Sequence, residues 1–506
     1  MVWGPVAGAG FGQGATIVTL PGSVAIVGGS VTGIAAFIQL VRTGAASRID
    51  IIDPEGLADS IAFTEAQDML LCNTSVQTMS VLDDDMHDFQ YYLQAQGIEV
   101  SENAFVQRAW VSGYLKQRYA QYLDLAQAQG IEHQVVRAAV CHIHPVSPGQ
   151  YRLVLDNDTC LNTSAVLICT GNAKELLPSL VVPHVGAPGI FPTPYPTQLW
   201  LEGLAKSSRV LVLGSRLSAI DSVLLLCWAG HQVLMASPSG RLPSVRTATP
   251  RRCPVPLDAE RFARLNLESP RLYWHLLRIV ARSAKAISGR SLREQIDRSV
   301  EPVQRLRGEI ALASQGATDW QNLLVHCMDL ADIKLRAAPA AVRAAALQNC
   351  WEALGRYLFA VPLETATTLL RLIDTGQLQL APELPTKLER LGTWQAHSSN
   401  GRVDSVDAVV CATGFHRQHF HATSDGLELQ VPTGTPCNPP QVSTQLQVSL
   451  PGATGPENIW LLGVASWLAA PMVNSVYQSV RQACQVVTCL REQSSLTEED
   501  VVETVE

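Results

Sequence analysis

The run Val24-Ala25-Ile26-Val27-Gly28-Gly29-Ser30-Val31-Thr32-Gly33 constrains the fold more than any other stretch of this chain. Four apolar residues lead straight into a glycine turn, and a helical apolar period follows from Thr32 to about Arg42. A second apolar strand, Arg48 to Ile52, completes a βαβ unit, which implies parallel strands joined by a right-handed crossover. In a G-x-G-x-x-G turn the backbone doubles back and opens a helix whose first N–H groups can meet a pyrophosphate. Ser30 replaces the middle glycine; its side chain is small and can itself bond phosphate. Asp53 ends the next strand, about twenty residues after the glycines, where an acid accepts bonds from ribose hydroxyls. Gly28, Gly29, Ser30, Thr32, Gly33 and Asp53 are therefore candidate dinucleotide ligands. The plainer alternative is a tight strand–helix turn with no ligand.

The same pattern starts again at Arg209. The strand Val210-Leu211-Val212-Leu213 runs into Gly214-Ser215-Arg216-Leu217-Ser218, with Asp221 one turn further on. Arg216 now holds the middle position, where it either closes a phosphate pocket or reaches across to a phosphate itself. The following strand, Gln232 to Leu234, ends in Ala236-Ser237-Pro238-Ser239-Gly240-Arg241, with no acid to bond a ribose 2′-hydroxyl. If a nicotinamide cofactor binds here, Ser237 and Arg241 favour a 2′-phosphate over a free hydroxyl. Arg241 also fits a solvated loop, since a basic run continues through Arg246 to Arg251 and Arg252. Two short strands, Leu167-Ile168-Cys169 and Val410-Cys411-Ala412, each lead into a Thr-Gly pair, Thr170-Gly171 and Thr413-Gly414. Glycine at such a strand end lets the chain pass close to a bound dinucleotide.

At 506 residues the chain exceeds what one core organises. The pattern predicts an α/β fold: two Rossmann-like dinucleotide-binding domains with a mostly helical insertion. Expected boundaries are a flexible leader at 1–22, a first domain at 23–200 completed by 415–491, and a second at 201–256 and 377–414. The helical insertion occupies 257–376 and an acidic tail 492–506, with fraying expected from Glu498 to Glu506. Val135 to Leu155 reads as hairpin-like, and 182–196, rich in Pro and Gly, as a crossing linker.

A net charge of -8 opposes nonspecific nucleic-acid binding. No stretch reaches the roughly 18 uncharged apolar residues of a membrane span, and the N-terminus lacks a charged signal region. The twelve cysteines sit singly, without C-x-x-C, so a zinc ribbon or dithiol centre is not expected. A reduced cytoplasmic protein is the expectation, with neither nucleic-acid nor membrane partners. His142 and His144 would share one strand face, but no further metal ligand is near, and no metal is expected. His416, His419 and His421 read as a polar loop or a substrate entrance, and Asp83-Asp84-Asp85 as a solvated helix start.

The order of these elements resembles flavoproteins with two dinucleotide-binding domains. More narrowly, it resembles the bacterial FAD/NAD(P)-binding proteins that include amino-acid N-hydroxylating monooxygenases such as aspartate N-oxygenases. The likeness extends through Asp53-Pro54-Glu55-Gly56, Leu70-Leu71-Cys72-Asn73-Thr74, Met79-Ser80, Phe105-Val106-Gln107-Arg108 and Gly113-Tyr114-Leu115. Gly240-Arg241-Leu242-Pro243 and Asp319-Trp320 also fit, and the likeness is strongest over the first 120 residues. The resemblance implies that Gly28, Gly29, Ser30 and Gly33 hold the FAD pyrophosphate and Asp53 the adenosine ribose. Asn73 would face the flavin, and Gly463, Asn474 and Ser475 would lie near its pyrimidine end. Ser30 and Arg216 depart from the group's middle glycines, and Pro238-Ser239 stand where relatives often carry basic residues. The implied activity is an NADPH-dependent monooxygenase that N-hydroxylates an amine or amino acid with O₂, through a C4a-hydroperoxyflavin. The alternatives are a flavin dehydrogenase or oxidase that uses no nicotinamide, and a flavin-binding accessory protein with a degenerate second site. No catalytic acid or base is readable from the spacing.

Overall fold

The computed structural model describes residues 22–503 apart from 59–62, 64–66, 254, 256, 432–433 and 471–472. The leader expected at 1–22 lies, but for Gly22, outside the described residues.

β1 (Ser23–Val27), α1 (Val31–Thr43) and β2 (Arg48–Ile52) form the first unit. β1 pairs in parallel with β2 on one side and with Ala165–Ile168 on the other. Glu132–Val136 extends the sheet beyond β2, and Ile459–Leu461 extends it beyond Ala165–Ile168, both in parallel. Both faces of β1 are buried, which is why its sequence is a continuous apolar run with no alternation. Val24 and Ile26 pack against Phe37 of α1 and Val480 of the C-terminal helix. Ala25 and Val27 face Ile143, Leu153 and Leu427 of an antiparallel sheet on the other side. Each fully buried Val or Ile contributes roughly 1.5–3 kcal/mol, so this sandwich outweighs any local strand preference.

β3 (Arg209–Leu213), α2 (Leu217–Trp228) and β4 (Gln232–Ala236) repeat the arrangement. β3 pairs with β4 and with Ala408–Cys411; Leu378–Leu380 lies beyond β4 and Ile190–Phe191 beyond Ala408–Cys411, all in parallel. Four of the five strands follow one order in the two sheets, so the two Thr-Gly segments follow equivalent strands; the fifth, Ile459–Leu461 in the first sheet and Ile190–Phe191 in the second, comes from different places in the chain. Val210 and Val212 face one core, Leu211 and Leu213 another. An antiparallel meander, Lys387–Leu391, Thr393–His397 and Val403–Val406, closes the second core through Trp394.

Between 259 and 374 the chain is mainly helical, as its period predicts. Asp329 on helix Leu324–Arg336 anchors this region to α3 (Val476–Glu503), accepting from Tyr477 at 2.9 Å, from Gln478 at 3.1 Å and from Arg481.

Four expectations are corrected. Glu132–Val136 belongs to the parallel sheet, and the hairpin is Val140–Ser147 with Gln150–Leu155. α3 runs on to Glu503 because no Gly or Pro interrupts its strong helix formers, so the tail from 492 is helical through 503. Asp84 pairs with Arg42 and Asp83 with Arg251, so the acidic triplet ties elements together and is not merely a solvated helix start. Arg246, expected in a solvated loop, is only 4% exposed; its guanidinium bonds the carbonyls of Tyr357 and Leu358, which end helix Ala340–Leu358.

A buried ion pair joins the two units. Arg108, at the start of helix Ala109–Ala128, grips Asp221 of α2 with both terminal nitrogens, and its Nε donates to Leu71 O at 3.1 Å. Tyr195 donates to the same carboxylate. Burial alone would lower the Arg108 pKa, but Asp221 holds it above the usual value. Leaving one member of such a pair uncompensated costs about 3–5 kcal/mol, whereas replacing both with apolar groups is far milder. Arg108→Met is therefore expected to lower the urea midpoint sharply, and adding Asp221→Leu to regain much of the loss.

Candidate functional site

Both parallel sheets end at their carboxyl edges in a glycine turn, and the two turns share one construction. Gly28 has φ +112° and Gly214 φ +123°, the region that favours glycine. Gly28 N donates to Ile52 O and Gly214 N to Ala236 O, each at 2.8 Å. A Cβ on Gly28 would lie 2.7 Å from Cys169 O; one on Gly214 would collide with Ala412 O. The paired Thr-Gly segments are thus brought against the paired turns, and the contact is made by the residue just before each threonine. A Cβ on Gly33 would strike the Gly28 carbonyl, so α1 packs closely on its own turn. In α2 the equivalent position holds the buried Ala219.

Ser30 and Arg216 are the N-caps of α1 and α2, both extended, and neither side chain caps its helix. Neither first turn carries an acid. Neither helix end is offset by an acid of its own first turn, which suits an anion. Beside each turn lies a buried hydroxyl without a hydrogen-bond partner: Thr170 Oγ1 at the first and Ser237 Oγ at the second. Ser237 is 4% exposed and follows β4 as Asp53 follows β2. A buried polar atom left unbonded calls for a partner outside the chain.

Asp53 has work within the turn. Its carboxylate accepts from Gly29 N at 2.6 Å, Glu55 N at 2.9 Å and Gly56 N at 3.2 Å. It thus locks the glycine turn to the next loop, while a carboxylate's roughly four acceptor sites leave room for another donor.

Gly463 also comes to the first turn. A Cβ there would collide with Thr32 Oγ1, its N donates to Gln482 Oε1 at 2.6 Å, and Thr32 Oγ1 donates to Ser479 Oγ at 3.0 Å. Ser479 and Gln482 were not anticipated from sequence. Their signal is polar residues at helical spacing, Ser475 just before α3 and Ser479 and Gln482 on its buried face. Ser475 caps that helix, accepting from Gln478 N at 3.1 Å, and Asn474 precedes it exposed to solvent.

Asn73 sits between the units. It lines a small cavity with Leu217, Ile220, Arg108 and Asp221, and its carbonyl accepts from Arg246 at 3.2 Å. The neighbouring Cys72 thiol is pushed up to about 12 by burial.

At the second turn Ser215 Oγ donates to Arg241 O at 2.8 Å, which draws the 237–241 loop onto Gly214. Arg216 lies over the Phe359 ring, 5.6 Å from its centre, and partial withdrawal from water lowers its pKa. Ser218 lies in the first turn of α2, where its carbonyl accepts from Ser222. The Thr-Gly segments differ: Thr413 Oγ1 donates to Leu176 O at 2.5 Å, whereas Thr170 is unbonded. Gly171 and Gly414 have open space around them. His142 and His144 share a face, their rings 5.7 Å apart, and no metal-ligating cluster occurs among the described residues. No described helix is long and apolar enough to cross a membrane.

Fold and turns together define an α/β chain with two Rossmann-like dinucleotide-binding regions. Residues 25–173 match the family model described as FAD-NAD(P)-binding. No curated protein matches the chain in sequence. Among solved structures, the chain is similar to the FAD-bound cadaverine monooxygenase of desferrioxamine biosynthesis from Erwinia amylovora. The TM-score is 0.54 at 12% identity, over 93% of this chain and 94% of that one. L-lysine 6-monooxygenase from Pseudomonas syringae gives 0.50 at 15%, over 93% and 99%. A cyclohexanone monooxygenase mutant from Rhodococcus sp. Phi1 bound to NADP⁺ gives 0.51 at 13%, over 95% and 87%. At these identities the likeness is one of fold.

The glycine geometry makes a differential prediction. Gly28→Ala, at a positive φ and against backbone, should destabilise by about 1–3 kcal/mol. Gly171→Ala, in open space, should leave the thermal midpoint within about a degree of the parent.

Proposed function

We propose that the chain is an FAD-dependent oxidoreductase, and more narrowly an NADPH-dependent monooxygenase that N-hydroxylates an amine or amino acid. The observation that carries this is the repeated site: two glycine turns on sheets with four strands in one order, each with a buried, unbonded hydroxyl beside it. The likeness in fold to cadaverine and L-lysine monooxygenases supports the choice of reaction and of a small amine or amino-acid substrate.

The first turn suits FAD. Gly28, Gly29, Ser30, Thr32 and Gly33 present the α1 N-terminus to a pyrophosphate, with Thr170 and Gly171 alongside. Asp53 keeps acceptor capacity for a ribose hydroxyl, and Gly463 and Asn73 bound the flavin end. Residues 23–200 with 415–491 would make up this domain.

The second turn, in 201–256 and 377–414, suits NADPH. Ser237 stands where an acid would repel a 2′-phosphate, and Arg241 and Arg216 are at hand to receive anionic groups. Gly214, Ser215, Ser218, Thr413 and Gly414 complete that surface. FAD, when bound, supplies electron exchange with the nicotinamide and activation of O₂. The chain's share is to hold both dinucleotides at one junction, exclude water and seat the substrate against the 257–376 helices.

The deciding experiment is an anaerobic absorbance titration of the purified protein with NADPH, followed by oxygen in the presence of diamines and amino acids. Bleaching by NADPH and formation of a hydroxylamine product are the expected results. Bleaching by substrate alone would replace this reading with the oxidase, and bleaching by neither would leave the accessory protein. Gly28→Val, with a branched side chain forced against Cys169 O, should purify with little or no flavin.

A further inference from the structure

Three parts of the chain meet on the short helical turn Gly463–Leu468. Gly463 lies against Thr32 of the first glycine turn, and Leu468 O accepts from Arg343 of helix Ala340–Leu358. Between them Trp467 Nε1 donates to Gln418 O at 3.0 Å, in the loop that follows Thr413-Gly414. That loop is braced just before Arg417: His416 N donates to Lys174 O at 2.8 Å, and His416 O accepts from Ala173 N at 2.9 Å. The flavin side, the crossing between units and the helical region thus share one turn.

Two guanidinium groups stand on it, and neither pairs with a described carboxylate. Arg343 bonds carbonyls, those of Leu335, Ala338 and Leu468. Arg417 lies over the Trp467 ring, 5.5 Å from its centre, and makes no hydrogen bond or ion pair with a described residue. Partial withdrawal from water lowers both pKa values, and no acid raises either. In a chain of net charge -8, this local excess of positive charge is not a general property of the surface. Arg343 spends its donors within the chain, whereas Arg417 is exposed. A guanidinium held by its face keeps its in-plane N–H groups for a bidentate acceptor. An amino acid brings such an acceptor; the amine left by its decarboxylation brings only cations to a cationic place. We propose that Arg417, held on Trp467, recognises the carboxylate of the substrate, so that the chain takes an amino acid and discriminates against the matching amine. This rests on the monooxygenase reading above and names its substrate class.

The test uses the FAD-loaded protein and pairs of an amino acid with its decarboxylated amine, L-lysine with cadaverine, L-ornithine with putrescine, and the shorter amino acids likewise. Binding is read without turnover, from the flavin absorbance and the thermal midpoint, and hydroxylamine formation is followed at saturating NADPH. The parent should bind at least one amino acid more tightly than its amine. Arg417→Gln should weaken that binding and raise the amino-acid KM about 10- to 100-fold, with kcat nearly retained. Affinity for the amine and for NADP⁺ should not fall. Arg417→Lys keeps the charge without the fork and should recover part of the loss. A parent that prefers every amine would overturn the proposal, as would an Arg417→Gln variant that loses amine or NADP⁺ binding equally. Should NADPH fail to bleach the flavin, the monooxygenase reading falls, while the binding comparison still decides whether Arg417 recognises a carboxylate.

Discussion

A chain leaving the end of a buried strand has almost nowhere to go, and this architecture rests on how that problem is solved. At Gly28 and Gly214 the backbone turns back so tightly against the neighbouring strand that a side chain would occupy a carbonyl. The positive φ that permits this is available at little cost only to glycine. Because the turn is that tight, the next helix begins at once, with its N-terminus aimed over the sheet edge. A helix end suited to an anion thus follows from a packing solution.

Two such units need a fixed relation if two cofactors are to meet. Arg108 and Asp221 supply it from within: one starts a helix of the first unit, the other lies one turn inside α2. A buried pair of this kind adds little net stability, but it penalises any arrangement that separates its members. The backbone adds a second tie. Ala173 N donates to His416 O, His416 N to Lys174 O and Leu176 N to Gly414 O, so the two crossings between units pair with each other. Interface geometry is therefore set by directional bonds at the crossings and by charge in the interior.

The local elements were legible because their signals are local. Apolar runs buried on both faces, glycines at turns and helical periods each reflect neighbours within a few residues, and the two βαβ starts emerge from them directly. What stayed hidden depends on partners far along the chain. Val135 and Val136 look like the start of the hairpin that follows; only pairing of Glu132–Val136 with β2 makes them the end of a parallel strand. Arg246 looks like part of a basic loop, and only the helix end at Tyr357 and Leu358 shows why it is buried. Ser479 and Gln482 sit in a helix that the sequence does not tie to the first turn, and their polar side chains gain meaning only with Gly463 and Thr32 opposite.

The departures from the glycine pattern, which weakened the second motif in the sequence, take on physical sense when the two turns are compared. The first is closed: Gly33 brings α1 onto its own turn, Asp53 ties that turn to the next loop, and Gly463 packs on Thr32. The second lacks these ties, with Ala219 in place of Gly33 and Ser237 in place of the acid. Its attraction for an anion would come, in the proposed reading, from the arginine at its helix end. In the proposed reading, a cofactor kept through every cycle needs the enclosed turn. One that must arrive reduced and leave oxidised is better served by the open, charged turn, because charge speeds encounter while shape complementarity slows release. On that view Arg216 is suited to exchange, and the two unequal turns serve a resident and a visitor.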